Sequence, residues 1–422
     1  MSKRRYHCVD CKRVDWSALG AQVAGARTVF AVDVAKNAFV AAVQSEPERT
    51  LLRVKWRHPQ QSGELLAGLE ALVAAGAKLE VVMESSGVYG DALRWQFEQR
   101  GMAVYRVSAK HVHDSAEIYD SVPSVHDAKA CELIAKLHWE GRSRAWAVAT
   151  PERRALLACT CQLAWLKDRA QRERNRFEAL LARHWPEAET LLGLGSVALL
   201  RLLATYGSPA QIAALAPQAG ALLRESGGAF LAQEKIELLI ASAEHTLGMP
   251  CIAEERVLLR HQAEEVLNAN RAVHAAERAL VKAVPAARAA TPLNKVLGPV
   301  TGAVLLATQG NPEDYPSAES YCKGFGLNLK ERSSGKHKGQ LKITKRGPAT
   351  ARFYLYFAAL RLLRRDPVIK QWYAAKTARA GAVKRKTVIE LMRKLAKAAW
   401  HQAHGRDFDV NRLVNLKAVG TQ

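Results

Sequence analysis

The sequence predicts an α/β domain followed by two mostly helical regions. Three observations predict it. Thr28–Val43 reads as a buried strand turning back into a second one. Strand and helix patterns then alternate as far as Trp139. Beyond Pro151 the apolar residues recur at helical spacing, with two very long periodic runs.

Val29, Phe30, Ala31, Val32 and Val34 form a nearly unbroken apolar run, as in a strand covered on both faces. Asp33 interrupts it. A carboxylate on a buried strand is costly unless a cation or donors hold it. It is therefore either a metal ligand or a strand-end acid satisfied by turn amides, and the stretch alone leaves both open. The turn falls at Lys36–Asn37. Leu51–Trp56 alternates as a third strand, and Gly63–Gly76 is helical, with Leu65, Leu66, Leu69, Leu72 and Val73 on one face. Leu79–Met83 is a strand ending in Glu84 and the Ser85–Ser86–Gly87 turn. Asp91–Arg100 is a helix, Met102–Val107 a strand, and a long polar connection leads to Pro123–Ser124. The last helix, His126–Trp139, turns Ile134, Leu137 and His138 to the core.

Three antiparallel strands followed by alternating helix and strand is the order of a ribonuclease-H-like fold. Asp33, Glu84 and Asp127 occupy two strand ends and a later helix, which converge at one edge of such a sheet. Two divalent ions clamping the oxygens of a phosphodiester require such hard ligands. The shared register favours a site over three unrelated acids. A second helical ligand after Asp127 belongs three residues on. That residue is Ala130; Glu132 projects elsewhere, and Asp114 and Asp120 lie on the preceding connection.

The chain has 422 residues, with 62 Lys and Arg against 40 Asp and Glu, a formal charge of +22. The excess is spread along the chain and points to a polyanion, most simply nucleic acid. A peripheral membrane role is the weaker alternative, since no strongly amphipathic basic helix dominates. No apolar run reaches the length of a membrane span, and the N-terminus lacks the apolar core of a signal peptide. Seven irregularly placed cysteines suggest reduced thiols in a cytosol. Cys8 and Cys11 make one C-x2-C beside His7. A zinc site normally needs a second pair, so residues 1–27 read as a flexible basic leader.

Residues 28–150 form the α/β domain and 151–291 a helical region. There Glu152–His184 carries Leu156, Leu163, Ala170 and Phe177 at seven-residue steps, with Leu166 and Leu180 beside them. Its other face holds Arg169, Arg172, Arg174, Arg176 and Arg183. A second long helix, Ala253–Val284, presents Val257, Leu259, Val266, Leu267, Val273 and Leu280. The pair suggests an antiparallel coiled-coil hairpin, with the arginines facing phosphate. Residues 292–422 make the third region. Leu297–Gly302 has the cadence of a helix-hairpin-helix, though a plain Gly-Pro helix start reads the same way. Ser333–Ser334–Gly335 is either an ordinary loop or an exposed turn carrying a nucleophile.

Several blocks resemble one family: AVDVAKNAF, VVMESSGVYG and VPSVHDAKACELIAKLH near the start; LGPVTGAVLLATQG, GFGLNLKERSSG, ITKRG and MRKLAKAAW near the end. The chain resembles the DEDD-type insertion-sequence transposases, bridge-RNA-guided recombinases related to Piv-type DNA invertases. The resemblance implies a RuvC-like metal domain joined by a coiled coil to a smaller transposase domain with a catalytic serine. Asp33, Glu84 and Asp127 fall on the first three acids, with Mg²⁺ or Mn²⁺ as cofactor. The fourth falls on Ala130, which puts full activity of this copy in doubt. The serine falls on Ser333 or Ser334, the latter preferred, with Lys336, His337, Lys342, Lys345 and Arg346 to neutralise phosphate. Arg169, Arg172, Arg174 and Arg176, with Lys384, Arg385 and Lys386, are expected to hold nucleic-acid backbone. The implied partners are donor and target DNA, a structured guide RNA and further protomers in a dimer or tetramer. The implied location is the bacterial cytoplasm, at the nucleoid. The competing readings are a structure-selective metal-dependent nuclease and a non-catalytic RNA- or DNA-binding protein.

Overall fold

The structure is a computed structural model that describes residues 6–84, 87–285, 288, 292–331, 339, 341–379 and 382–414. The chain divides into two compact units, Met1–Ala149 and Thr150–Gln422.

The first unit is built on one mixed sheet. Its strands are β1 (Val9–Asp10), β2 (Arg27–Asp33), β3 (Ala38–Glu46), β4 (Arg49–Arg57), β5 (Lys78–Glu84), β6 (Ala103–Val107) and β7 (Arg144–Ala145). They run in the order β1-β4-β3-β2-β5-β6-β7. β2 pairs antiparallel with β3, Phe30 opposite Val43, and parallel with β5, Phe30 beside Val81. The helices are α1 (Trp16–Val23), α2 (Ser62–Ala74), α3 (Asp91–Gln99), α4 (Ala109–Asp114), α5 (Ala116–Asp120) and α6 (Asp127–Trp139).

Alternation along β2 sorts the two cores. Phe30 and Val32 pack with Trp56, Val81 and Met83 beneath Leu65, Leu69 and Phe97 of α2 and α3. Val29 and Ala31 face the other way, with Val82 and Val107, beneath Leu133, Ile134 and Leu137 of α6. Thr28 through Val32 are all buried, as a central strand covered on both faces requires.

Two expectations are corrected. Residues 6–27 are not a loose leader: Val9 and Asp10 pair in parallel with Val54 and Lys55, and α1 buries Leu19 and Val23. Trp16 lies so close to Gly68 that a Cβ there would stand 2.3 Å from the indole. The polar connection before α6 is also structured, because α4 and α5 each bury one apolar residue, Val112 and Ala116.

In the second unit, α7 (Pro151–His184) and α13 (Ala253–Lys282) are the long helices. Their cross-links run antiparallel: Arg183 to Glu255 at 3.2 Å, Gln262 to Glu173 at 3.0 Å and Lys167 to Glu277 at 2.9 Å. Leu156, Leu163, Ala170 and Phe177 are buried, as their spacing predicts, but Val257 is 64% exposed and lies off the seam. Between the long helices run α8 (Ala188–Leu191), α9 (Val197–Tyr206), α10 (Pro209–Ala214), α11 (Ala216–Gly227) and α12 (Gln233–Glu244). After α13 come α14 (Pro292–Leu297), α15 (Pro299–Gln309), α16 (Ala318–Gly324), the pair β8 (Leu329–Lys330) and β9 (Lys342–Ile343), then α17 (Ala349–Arg365), α18 (Pro367–Thr377) and α19 (Lys384–Ala403). Gly298, at φ 82°, makes the turn between α14 and α15 that an L-residue would resist. Tyr354, Ala303 and Val304 share a core with Leu156, Leu163 and Leu280.

Candidate catalytic site

Asp33 is the last residue of β2 and Glu84 the last of β5. These strands are parallel neighbours, Val32 beside Met83, so both acids emerge at the same sheet edge. Asp33 continues the Val29–Ala31 row and Glu84 follows Val82 with the same parity, so both belong to the face that α6 covers. Asp127 opens α6, whose N-cap is His126; the imidazole Nδ1 accepts the Lys129 amide at 3.3 Å.

The three acids share an electric field. Burial, then the carboxylates of Glu84 and Asp127, push the Asp33 pKa up to about 6, against a smaller opposing pull from the Val34 amide. Among the described residues no three His, Cys, Asp or Glu side chains already form a metal-holding cluster. The donor set nevertheless fits a divalent cation in kind, three carboxylates offering hard oxygens.

Cys131 was missed in the sequence, although it follows Asp127 by four residues and so shares its helix face. Its Sγ donates to the Val40 carbonyl at 3.0 Å, and burial, then the Asp33 charge, holds its thiol well above the usual range. Cys8 also senses Asp127, and the Tyr6 ring meets the His126 ring edge-on at 4.4 Å. The N-terminal segment thus runs beside the start of α6. Cys11 is buried elsewhere, near the Gln61 carbonyl, and His7 is exposed.

The alternatives for a fourth acid are committed elsewhere. Lys129 Nζ holds Asp120 at 2.6 Å, Arg53 Nε and the Tyr119 hydroxyl hold Glu132 at 2.7 and 2.9 Å, and exposed Asp114 pairs with Lys110. Ala130 is 4% exposed, among Val29, Ala31 and Leu133.

The basic candidates divide as well. Arg169 pairs with Glu265, Arg172 with Asp168 and Arg176 with Glu173. Arg174 has no ion pair among the described residues, and its Nε is buried without a hydrogen bond. Lys342, Lys345 and Arg346 are exposed, as are Lys384, Arg385 and Lys386 in the first turn of α19. Ser333, Ser334, Lys336 and His337 lie outside the described residues.

Residues 30–186 match the DEDD model of IS110-type sequences, described as a transposase, and residues 295–374 match the transposase IS116/IS110/IS902 family. The chain belongs to the IS110 family of transposases. It is also 28% identical over 219 residues to the "Insertion element IS110 uncharacterized 43.6 kDa protein" of Streptomyces coelicolor. That match covers 50% of this chain and 53% of the relative, so the chain spans about half the length of the curated relative it matches. The first IS110 match contains Asp33, Glu84 and Asp127; the second contains the Ser333–Ser334 pair.

Ala130→Asp buries a carboxyl one turn along α6 from Asp127. Without divalent ions it should destabilise the fold by on the order of 2–4 kcal/mol. Thermal melts in EDTA and in excess Mg²⁺ test this: magnesium should restore the loss, and a loss indifferent to magnesium marks position 130 as core only.

Proposed function

We propose that the chain is a DNA recombinase of an insertion sequence that cuts and rejoins DNA. The observation that carries this reading is that Asp33 and Glu84 end neighbouring parallel strands, and that burial, then the carboxylates of Glu84 and Asp127, raises Asp33 to about 6. Asp33, Glu84 and Asp127 would hold Mg²⁺ or Mn²⁺, which when bound polarises the scissile phosphate and stabilises the departing oxygen.

The remaining chemistry is assigned to the chain's own groups. Ser334 Oγ attacks phosphorus, loses its proton and forms a phosphoserine link, while the P–O bond to the leaving strand breaks and that oxygen takes up a proton. The ester energy is kept, so a strand can be rejoined without a nucleotide cofactor. Lys336, His337, Lys342, Lys345 and Arg346 would neutralise phosphate, and Ser334 is preferred to Ser333 as the nucleophile.

The charge of +22 and the first turn of α19 support a nucleic-acid partner. Lys384, Arg385 and Lys386 stand against the helix dipole at its positive end, an arrangement an external phosphate would relieve. On the family resemblance, we assign target choice to a structured guide RNA and strand exchange to a dimer or tetramer. The site of action is the nucleoid of a bacterial cytoplasm. Among the described residues no helix is long and apolar enough to cross a membrane.

Ser334→Ala tests the reading. With labelled DNA and Mg²⁺, the wild type should form a protein–DNA adduct that survives denaturing gels, and the variant should lose it entirely. Undiminished metal-dependent cutting by Ser334→Ala, with no adduct from either protein, would favour the structure-selective nuclease. Inertness of both would favour a binding protein impaired at position 130.

A further inference from the structure

A groove of about 850 Å³ lies within the second unit, between α7, α13 and the start of α17. We propose that it holds an unpaired stretch of nucleic acid, a base stacked on Phe353 and a neighbouring phosphate on Arg174. This rests on the reading that the chain handles nucleic acid, and assigns it residues other than the three acids.

The first support is the aromatic wall. Phe353 is 51% and Phe357 43% exposed, one turn apart with ring centroids 4.8 Å apart, although the other side of α17 buries Ala351, Leu355 and Ala358. Two solvent-facing phenylalanines beside a groove offer flat apolar faces to which any unpaired base can stack. A duplex keeps its base faces internal and cannot use them.

The second support is the charge. Asp168 lines the groove but is neutralised by Arg172, and Lys167 is matched by Glu277 at 2.9 Å. Arg174 remains, its charge unmatched among the described residues and its Nε buried without a partner. A buried guanidinium nitrogen without an acceptor is uncommon in a folded protein, and a phosphate oxygen is the acceptor its fork fits best. Ala349 and Thr350 reach the groove from the first turn of α17, which no side chain caps.

The third support bears on the main rival. An apolar groove can also receive a helix from a second copy, but that helix would have to bring an acid to Arg174, the one charged lining residue without an ion pair among the described residues. A polyanion complements that wall.

The test is equilibrium binding by fluorescence anisotropy, with the full chain in EDTA so that the acids play no part. The probes are mixed-sequence single-stranded DNA and RNA oligonucleotides and a duplex of the same sequence. Phe353→Ala should weaken single-strand binding ~10-fold and leave duplex binding within about twofold. Phe353→Trp should retain single-strand binding, which separates stacking from a folding defect. Arg174→Gln should make the salt dependence shallower by about one ion. A larger loss on RNA identifies a guide strand as the occupant, and a larger loss on DNA a displaced strand. Single-strand affinity blind to both substitutions, in a chain that still cuts DNA, overturns the groove alone; a chain that binds no nucleic acid removes both readings. If Phe353→Ala shifts the sedimentation state at unchanged strand affinity, the groove belongs to a second copy and the proposal fails.

Discussion

Asp33→Asn should abolish metal-dependent strand cleavage, by ~10³-fold or more, and at the same time make the metal-free protein more stable at neutral pH. The two effects have one cause. Asp33 sits on a central strand, in the field of Glu84 and Asp127, with burial as the larger contribution to its raised pKa. The unfolded carboxyl titrates near about 3.9 and the folded one near about 6. The folded state therefore holds the proton more tightly. Its stability advantage is fully present below the unfolded value and is lost as pH rises to about 6, above which the ionised acid costs roughly 2–3 kcal/mol. The asparagine carries no charge, so the variant should lack this fall in stability and should melt higher than wild type above about pH 6. Divalent ion should reverse the order by stabilising the wild type alone. Melting curves across pH, with and without Mg²⁺, read all of this. A variant that melts below wild type in EDTA at neutral pH would contradict the picture of three crowded carboxylates.

That arrangement was largely legible in the sequence, because strand alternation carries direction. Once Val29 and Ala31 belong to one face, Asp33 must join them, and Glu84 follows Val82 in the same way. What stayed hidden depends on contacts that leave no period. A two-residue strand such as Val9–Asp10 has no alternation to detect, and the seat of Trp16 against α2 depends on the missing side chain of Gly68. The arginines of α7 read as one basic face because sequence displays charge and conceals partners. Glu265, which neutralises Arg169, lies on another helix, α13. Val257 fits an apolar run but faces solvent, since the seam is set by pairing with α7 rather than by composition. Cys131 was detectable by its spacing from Asp127, yet a thiol carries no charge pattern that draws attention to it. Ser333, Ser334, Lys336 and His337 fall outside the described residues, so their assignment rests on the family match.

Lys129→Met should be the most damaging single change away from the acids themselves. Lys129 reads in the sequence as an ordinary polar helix residue, yet it is 2% exposed. Its ammonium donates to Asp120 at 2.6 Å, to the Val122 carbonyl at 2.7 Å and to the Ser124 carbonyl at 3.0 Å. All three of its protons are used, and all three acceptors belong to α5 or to the segment entering α6. One cation thus folds the approach to α6 onto the helix and fixes where Asp127 begins. Methionine fills much of the same volume but donates nothing. The Asp120 carboxylate loses the hydrogen bond that chiefly keeps its pKa low, and two backbone carbonyls lose a charged donor. The expected cost is roughly 1.5–3 kcal/mol, the range for hydrogen bonds to charged groups. Hydrogen exchange should accelerate over residues 115–126, while α2 and α3, across the sheet, keep their protection. Magnesium affinity should fall even though no acid has been removed, because Asp127 is no longer held at the sheet edge. Asp120→Asn in the same background should add little, since the partner it would lose is already gone. Full additivity of the two substitutions would instead mean that each side chain acts alone, and that the start of α6 is positioned by something other than this ammonium.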